Sequence, residues 1–181
     1  MSVAASFEIR YYQFLDAHGK PTQALPDFAR DPANLIPLYR AMCLTRAFDA
    51  KAVALQRTGQ IGTYAPSLGQ EAIGVAVGAA MQADDVLLPT YRESGAQLLR
   101  GVTMTELLRY WSGDEEGSNY CVPREDFPVT ITIATQATYA AGVATAFKLR
   151  QQPRVAVTVC GDGATSKGDF YEALNLAGVW K

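Results

Sequence analysis

The stretch that decides the fold is Arg154-Val-Ala-Val-Thr-Val-Cys160, which runs straight into Gly161-Asp-Gly-Ala-Thr-Ser-Lys-Gly-Asp-Phe170. Val155 to Cys160 is apolar and rich in β-branched residues, with no polar face, which predicts a central strand covered by helices on both sides. At its carboxyl end Gly161 and Gly163 allow backbone to approach another group closely. The amphipathic pattern that begins near Asp169 predicts a following helix, and helix amino ends suit anions. Asp162 lies between the two glycines, where a bare carboxylate would repel a phosphate. A hard cation such as Mg²⁺, held by that carboxylate and by phosphate oxygens, removes the conflict. An ordinary strand-to-helix turn, with Asp162 or Ser166 as an N-cap, accounts for the same residues without a ligand.

Working outward, 181 residues with 49% hydrophobic content are enough for one sizeable core. Charged residues make up only 19%, which implies that part of the surface is covered by a partner subunit. A net charge of −2 with dispersed Lys and Arg gives no footprint for nucleic acid or for a membrane surface. Cys43, Cys121 and Cys160 are odd in number and widely spaced, and His18 is the only histidine. That argues against a zinc site or a disulfide framework and for a reducing cytoplasm. No apolar run has signal-peptide or membrane-spanning length, so a soluble, cytoplasmic protein is expected.

Residues 1–30 read as an N-terminal arm, with Phe7, Ile9 and Tyr11 alternating and His18 in a turn; residues 31–181 read as one α/β domain. The first long helix is expected to start with Asn34 as N-cap and to stop at Gly59, with Leu35, Leu38, Met42, Cys43 and Val53 at helical spacing. Ser67-Leu-Gly-Gln70 and Thr103-Met-Thr-Glu106 both match the capping box. Gly74 and Gly78, one turn apart among alanines, predict close helix packing. Val86-Leu-Leu88 predicts a short buried strand. It ends in Pro89-Thr-Tyr-Arg-Glu93, placing Tyr91 and Arg92 where ligands collect in open α/β sheets. Asp114 to Pro128 reads as a long functional or partner-contacting loop, Val129 to Ile133 as a strand, and Ala134 to Gln151 as an alanine-rich helix. Phe170, Ala173, Leu174 and Ala177 form the apolar face of the last one. The alternation favours a mostly parallel sheet flanked by helices, incomplete at the C-terminus because the chain stops where another strand is due.

Two commoner phosphate motifs fail on specific residues. A dinucleotide fingerprint needs its third glycine two positions before Gly168, and a Walker A loop needs lysine and hydroxyl where Asp169 and Phe170 stand.

Gly161-Asp-Gly-Ala-Thr-Ser-Lys-Gly-Asp-Phe170, continuing into Tyr-Glu-Ala-Leu-Asn-Leu-Ala-Gly-Val-Trp180, closely resembles the start of the thiamine-diphosphate motif in α subunits of 2-oxo-acid dehydrogenase E1 components. Three further segments match that family in the same order: Gly62-Thr-Tyr-Ala-Pro66 with Gly69-Gln-Glu-Ala72, Pro89-Thr-Tyr-Arg-Glu93, and Ile133-Ala-Thr-Gln136. The Thr63-Tyr-Ala-Pro66 form is most similar to bacterial pyruvate-type subunits. The resemblance implies a thiamine-diphosphate-binding fold with Asp162 on Mg²⁺ and with Gly161, Gly163 and Ala164 packing backbone against the diphosphate. It implies that Tyr91 and Arg92 stand at the cofactor and that Ile131 and Ile133 touch its aminopyrimidine end. It places the loop around Tyr64 and Ala65 near substrate.

The resemblance further implies decarboxylation of a 2-oxo acid and acyl transfer to a lipoyl-bearing E2. The cofactor would be shared with an E1 β subunit in an α₂β₂ assembly. Pyruvate is the expected substrate, with branched-chain oxo acids and acetoin used by relatives, and a non-catalytic scaffold is the rival role. The family's Asn pair, which gives the second Mg²⁺ ligand, and its histidine loop have no counterpart here, and neither His18 nor Asn175 matches them. The chain is therefore expected to be an N-terminal portion with no catalytic residue of its own, inactive alone and a poor binder of the cofactor.

Overall fold

The computed structural model describes residues 3–180; residues 1, 2 and 181, the outer ends of the two expected segments, lie outside it. The chain divides into two compact units, Met1–Pro37 and Leu38–Lys181.

In the first unit Phe7 to Tyr11 form no strand. An isolated antiparallel bridge joins Leu15 to Pro21 across the expected turn. The Asp16 carboxylate holds that turn by accepting from the backbone N–H groups of His18 and Lys20, both at 2.8 Å. Helix α1, Pro32–Arg57, starts two residues before the expected cap. Asp31 accepts from the Ala33 N–H at 2.9 Å, so Asp31, not Asn34, caps it. Asn34 is turned back on the Phe28 carbonyl instead.

In the second unit α1 ends as predicted, with Gly59 in the left-handed region at φ 70°. Its buried stripe is Thr45, Phe48, Asp49 and Ala52, not the expected apolar series. Helix α2, Glu71–Ala80, packs on α3, Ser94–Arg100, through the small residues predicted for close approach. A Cβ added at Gly78 would stand 3.1 Å from the Ala96 backbone. Ser67 makes no capping box, since α2 begins after Gln70 with no side-chain cap. At α4, Met104–Trp111, the box is complete: Glu106 N–H donates to Thr103 Oγ1 at 3.2 Å and Thr103 N–H to Glu106 Oε2 at 2.7 Å.

Strand β1, Val86–Leu88, pairs in parallel with β2, Ala156–Thr158, in register Val86 to Ala156 and Leu88 to Thr158. Helix α5, Thr135–Leu149, makes the crossover between them, and Phe147 joins Val86 and Leu88 in one apolar cluster. Among the described residues the sheet has two strands. β2 is half-buried rather than covered on both faces, and Val155 is exposed. Val129 to Ile133 forms no strand. The reason lies at the free edge of β1, where the Asp126 carboxylate takes the Leu87 N–H at 2.9 Å. Phe127 and Thr130 N–H then reach only the Leu87 and Pro89 carbonyls, on either side of Pro128. The loop from Asp114 is thus tied down internally, with a 3₁₀ turn at Glu115–Ser118 and a buried Arg100–Asp126 ion pair at 2.6 Å. Last comes α6, Gly168–Trp180, which buries Ala173 and leaves Tyr171, Leu174, Leu176, Val179 and Trp180 exposed.

Candidate functional site

Both strands end on one cleft of about 470 Å³. Beyond β1 the chain turns through Pro89-Thr-Tyr-Arg-Glu93, and Glu93 fixes the turn by accepting from the Thr90 N–H at 2.6 Å and from the Thr90 hydroxyl. Burial pushes the Glu93 carboxyl up from its ordinary range, against the pull of those hydrogen bonds. Arg92 lies 4.8 Å above the Tyr91 ring and donates through Nε to the Pro66 carbonyl at 3.1 Å. Its two terminal amino groups make no hydrogen bond to the described residues.

Beyond β2 the chain enters a 3₁₀ turn at Asp162–Ser166 before α6 begins, so a short turn intervenes between strand and helix. Gly161 and Gly163 have nothing within 4 Å of where a Cβ would be, so bare backbone faces open space in the cleft wall. Asp162 is exposed, and its carboxylate has no ion-pair partner among the described residues. It is no cap: its backbone carbonyl, not its side chain, accepts the Thr165 hydroxyl.

Of the residues singled out in the sequence, the cleft brings together Tyr91, Arg92, Ile133, Gly161, Asp162, Gly163 and Ala164. Ile131 is half-exposed and does not line it. Tyr64 does not reach the cleft either. Its ring is 4% exposed in a core with Phe48 and Leu107, and its hydroxyl donates to Asp49 at 2.8 Å. Burial and that carboxylate push the phenol well above its ordinary range.

Gln70, Ile73 and Gln136 line the cleft unforeseen. Gln136 is 1% exposed; its Nε2 donates to the Val159 carbonyl at 2.9 Å, and its Oε1 has no partner among the described residues. Gln70 and Gln136 both sit in the matched segments, which was the available signal.

The described residues gather no group of three or more His, Cys, Asp or Glu side chains. A cation here would therefore be held by Asp162 together with oxygens of a bound ligand. Bare glycine backbone, an unpaired carboxylate and a guanidinium with open donors fit a Mg²⁺-chelated diphosphate, whereas the orphaned oxygen of Gln136 is an acceptor and suits a donor elsewhere on a ligand.

The fold and cleft define a class: an α/β protein with a ligand cleft at the carboxyl ends of parallel strands. The chain belongs to the dehydrogenase E1 component family, which residues 39–181 match. Among its relatives, the pyruvate dehydrogenase E1 component subunit alpha of Mycoplasma genitalium is 38% identical over 170 residues, covering 94% of this chain and 48% of the relative. The protein of the same description from Acholeplasma laidlawii is 37% identical, covering 92% and 48%. That from Bacillus cereus is 36% identical over 182 residues, covering 99% and 48%. The chain thus spans about half the length of the curated relatives it matches.

Proposed function

We propose that this chain supplies the α-subunit side of a thiamine-diphosphate and Mg²⁺ site in a 2-oxo-acid dehydrogenase E1 component, with pyruvate as substrate. The observation that carries the reading is the convergence of Arg92, Asp162 and the bare backbone of Gly161 and Gly163 on one cleft. Asp162 would hold the metal, Arg92 would bond diphosphate oxygens, and Tyr91, Ile133 and Ala164 would line the rest, with Ile131 nearby. When bound, the cofactor supplies the electron sink for decarboxylation. The chain's own residues bind it, orient it and neutralise its charge.

Residues 31–181 are proposed as the cofactor domain, of thiamine-diphosphate-binding fold, and residues 1–30 as an arm. An E1 β subunit and a lipoyl-bearing E2 are the proposed partners. The low charge fraction and the exposed apolar side chains of α6 suit burial against another chain. Among the described residues no helix is long and apolar enough to cross a membrane.

The test is co-expression with an E1 β subunit and a decarboxylation assay on pyruvate, branched-chain oxo acids and acetoin. Pyruvate should turn over fastest, and Asp162→Ala should abolish turnover and Mg²⁺-dependent cofactor binding together. Unchanged activity in Asp162→Ala would assign the chain a scaffold role.

A further inference from the structure

Asp49 is a buried carboxylate outside the cleft, 4% exposed, with no ion-pair partner among the described residues. Burying a carboxylate without a cation is costly, and hydrogen bonds must offset it. Three do, all to Oδ1: the Tyr64 hydroxyl at 2.8 Å, the Ser67 N–H at 2.7 Å and the Ser67 hydroxyl at 3.1 Å. A neutral side chain could fill the same space at lower cost, so what the carboxylate adds is a fixed position for residues 64–67.

One turn away on α1, Arg46 bonds Glu71 at 2.8 Å, and Glu71 accepts the Gly69 N–H at 3.0 Å. The segment from Tyr64 to Glu71 is therefore pinned at both ends to one helix. Between the pins stands the Pro66 carbonyl, the acceptor for Arg92 Nε. A guanidinium is a rigid planar fork, so holding Nε fixes the direction of its two remaining amino groups.

We propose that Asp49 is a positioning residue for Arg92: through Ser67 and the Pro66 carbonyl it sets the guanidinium in the orientation that receives a diphosphate. The inference rests on reading the cleft as a diphosphate site, and its test separates the two. Binding of inorganic pyrophosphate with Mg²⁺ to the full chain in complex with an E1 β subunit is measured by calorimetry for wild type, Asp49→Asn, Arg92→Ala and the double variant. Asp49→Asn should weaken binding about tenfold, the order of one charge-assisted hydrogen bond lost. The double variant should be no weaker than Arg92→Ala alone, because Asp49 acts only through Arg92. Hydrogen exchange in Asp49→Asn should accelerate in residues 90–93 as well as in 63–69. Ser67→Ala, a milder change, should move both readouts the same way if Asp49→Asn folds poorly.

Additive losses in the double variant, or unchanged exchange across 90–93, overturn the assignment. If the wild-type complex with an E1 β subunit binds neither pyrophosphate nor thiamine diphosphate, the cleft reading falls, and exchange across 90–93 still decides whether Asp49 positions Arg92.

Discussion

Gly163→Ala separates the needs of the fold from those of the ligand. An added Cβ at Gly163 meets no atom of the chain within 4 Å, and the backbone there lies outside the left-handed region. Alanine should therefore stand unstrained in the 3₁₀ turn. Stability without ligand should stay within about 0.5 kcal/mol of wild type or rise slightly, as the unfolded chain loses freedom. For a chain of this size that is a melting shift within about 2 °C. The ligand should feel the methyl group directly. If diphosphate packs against this backbone, the displacement loses at least one charge-assisted bond of about 1.5–3 kcal/mol. Affinity should then fall about ten- to a hundredfold. Calorimetry with thiamine diphosphate and Mg²⁺ on the complex with an E1 β subunit, beside melts of the chain without ligand, reads both quantities. Wild-type affinity in Gly163→Ala would show that no diphosphate lies against this turn, and a melting point several degrees lower would refute the open space at Gly163.

Gly117→Ala is the steric converse, since its Cβ would lie 2.2 Å from the Tyr110 nitrogen and 2.6 Å from the Glu106 carbonyl oxygen. Backbone must move, so a loss of about 3 kcal/mol or more is expected, with thermal melts as the check; an unshifted melt contradicts the packing of α4 on the turn at Glu115–Ser118. Asp126→Ala strands Arg100, whose side chain is 5% exposed, and should cost about 3–5 kcal/mol in urea unfolding. The paired change Arg100→Met with Asp126→Leu should recover much of that loss. Glu71 gives a pH signature: its hydrogen bond from Arg46 holds the carboxyl down at about 2 from an ordinary 4.5. A depressed carboxylate stabilises the fold above its unfolded value and loses that contribution as pH falls toward the folded one. The stability difference between wild type and Glu71→Gln should therefore shrink from about pH 4.5 toward pH 2; a pH-independent difference would remove the ion pair from the account.

What was legible in the sequence follows the range of each interaction. The box at Thr103 and Glu106 is closed within three residues, so its pattern predicts its structure. Ser67 carries the same pattern and fails, because its hydroxyl is taken by Asp49, eighteen residues back. The buried face of α1 was missed for a related reason: Thr45 and Asp49 are polar, so apolar periodicity passes over two of its four buried positions. Val129 to Ile133 has strand composition, yet the Leu87 N–H that a neighbouring strand needs is occupied by Asp126. In the cleft, Gly161, Asp162 and Gly163 were legible because a glycine turn at a strand end leaves a local mark, and Arg92 because it follows the short apolar run of β1. Gln136 left none. Its unpaired oxygen exists only because its amide nitrogen is drawn to the Val159 carbonyl, a partner that parallel pairing of β1 and β2 brings alongside α5. The local half of the cleft is thus written in one stretch of chain, and the other half arises where two distant strands meet.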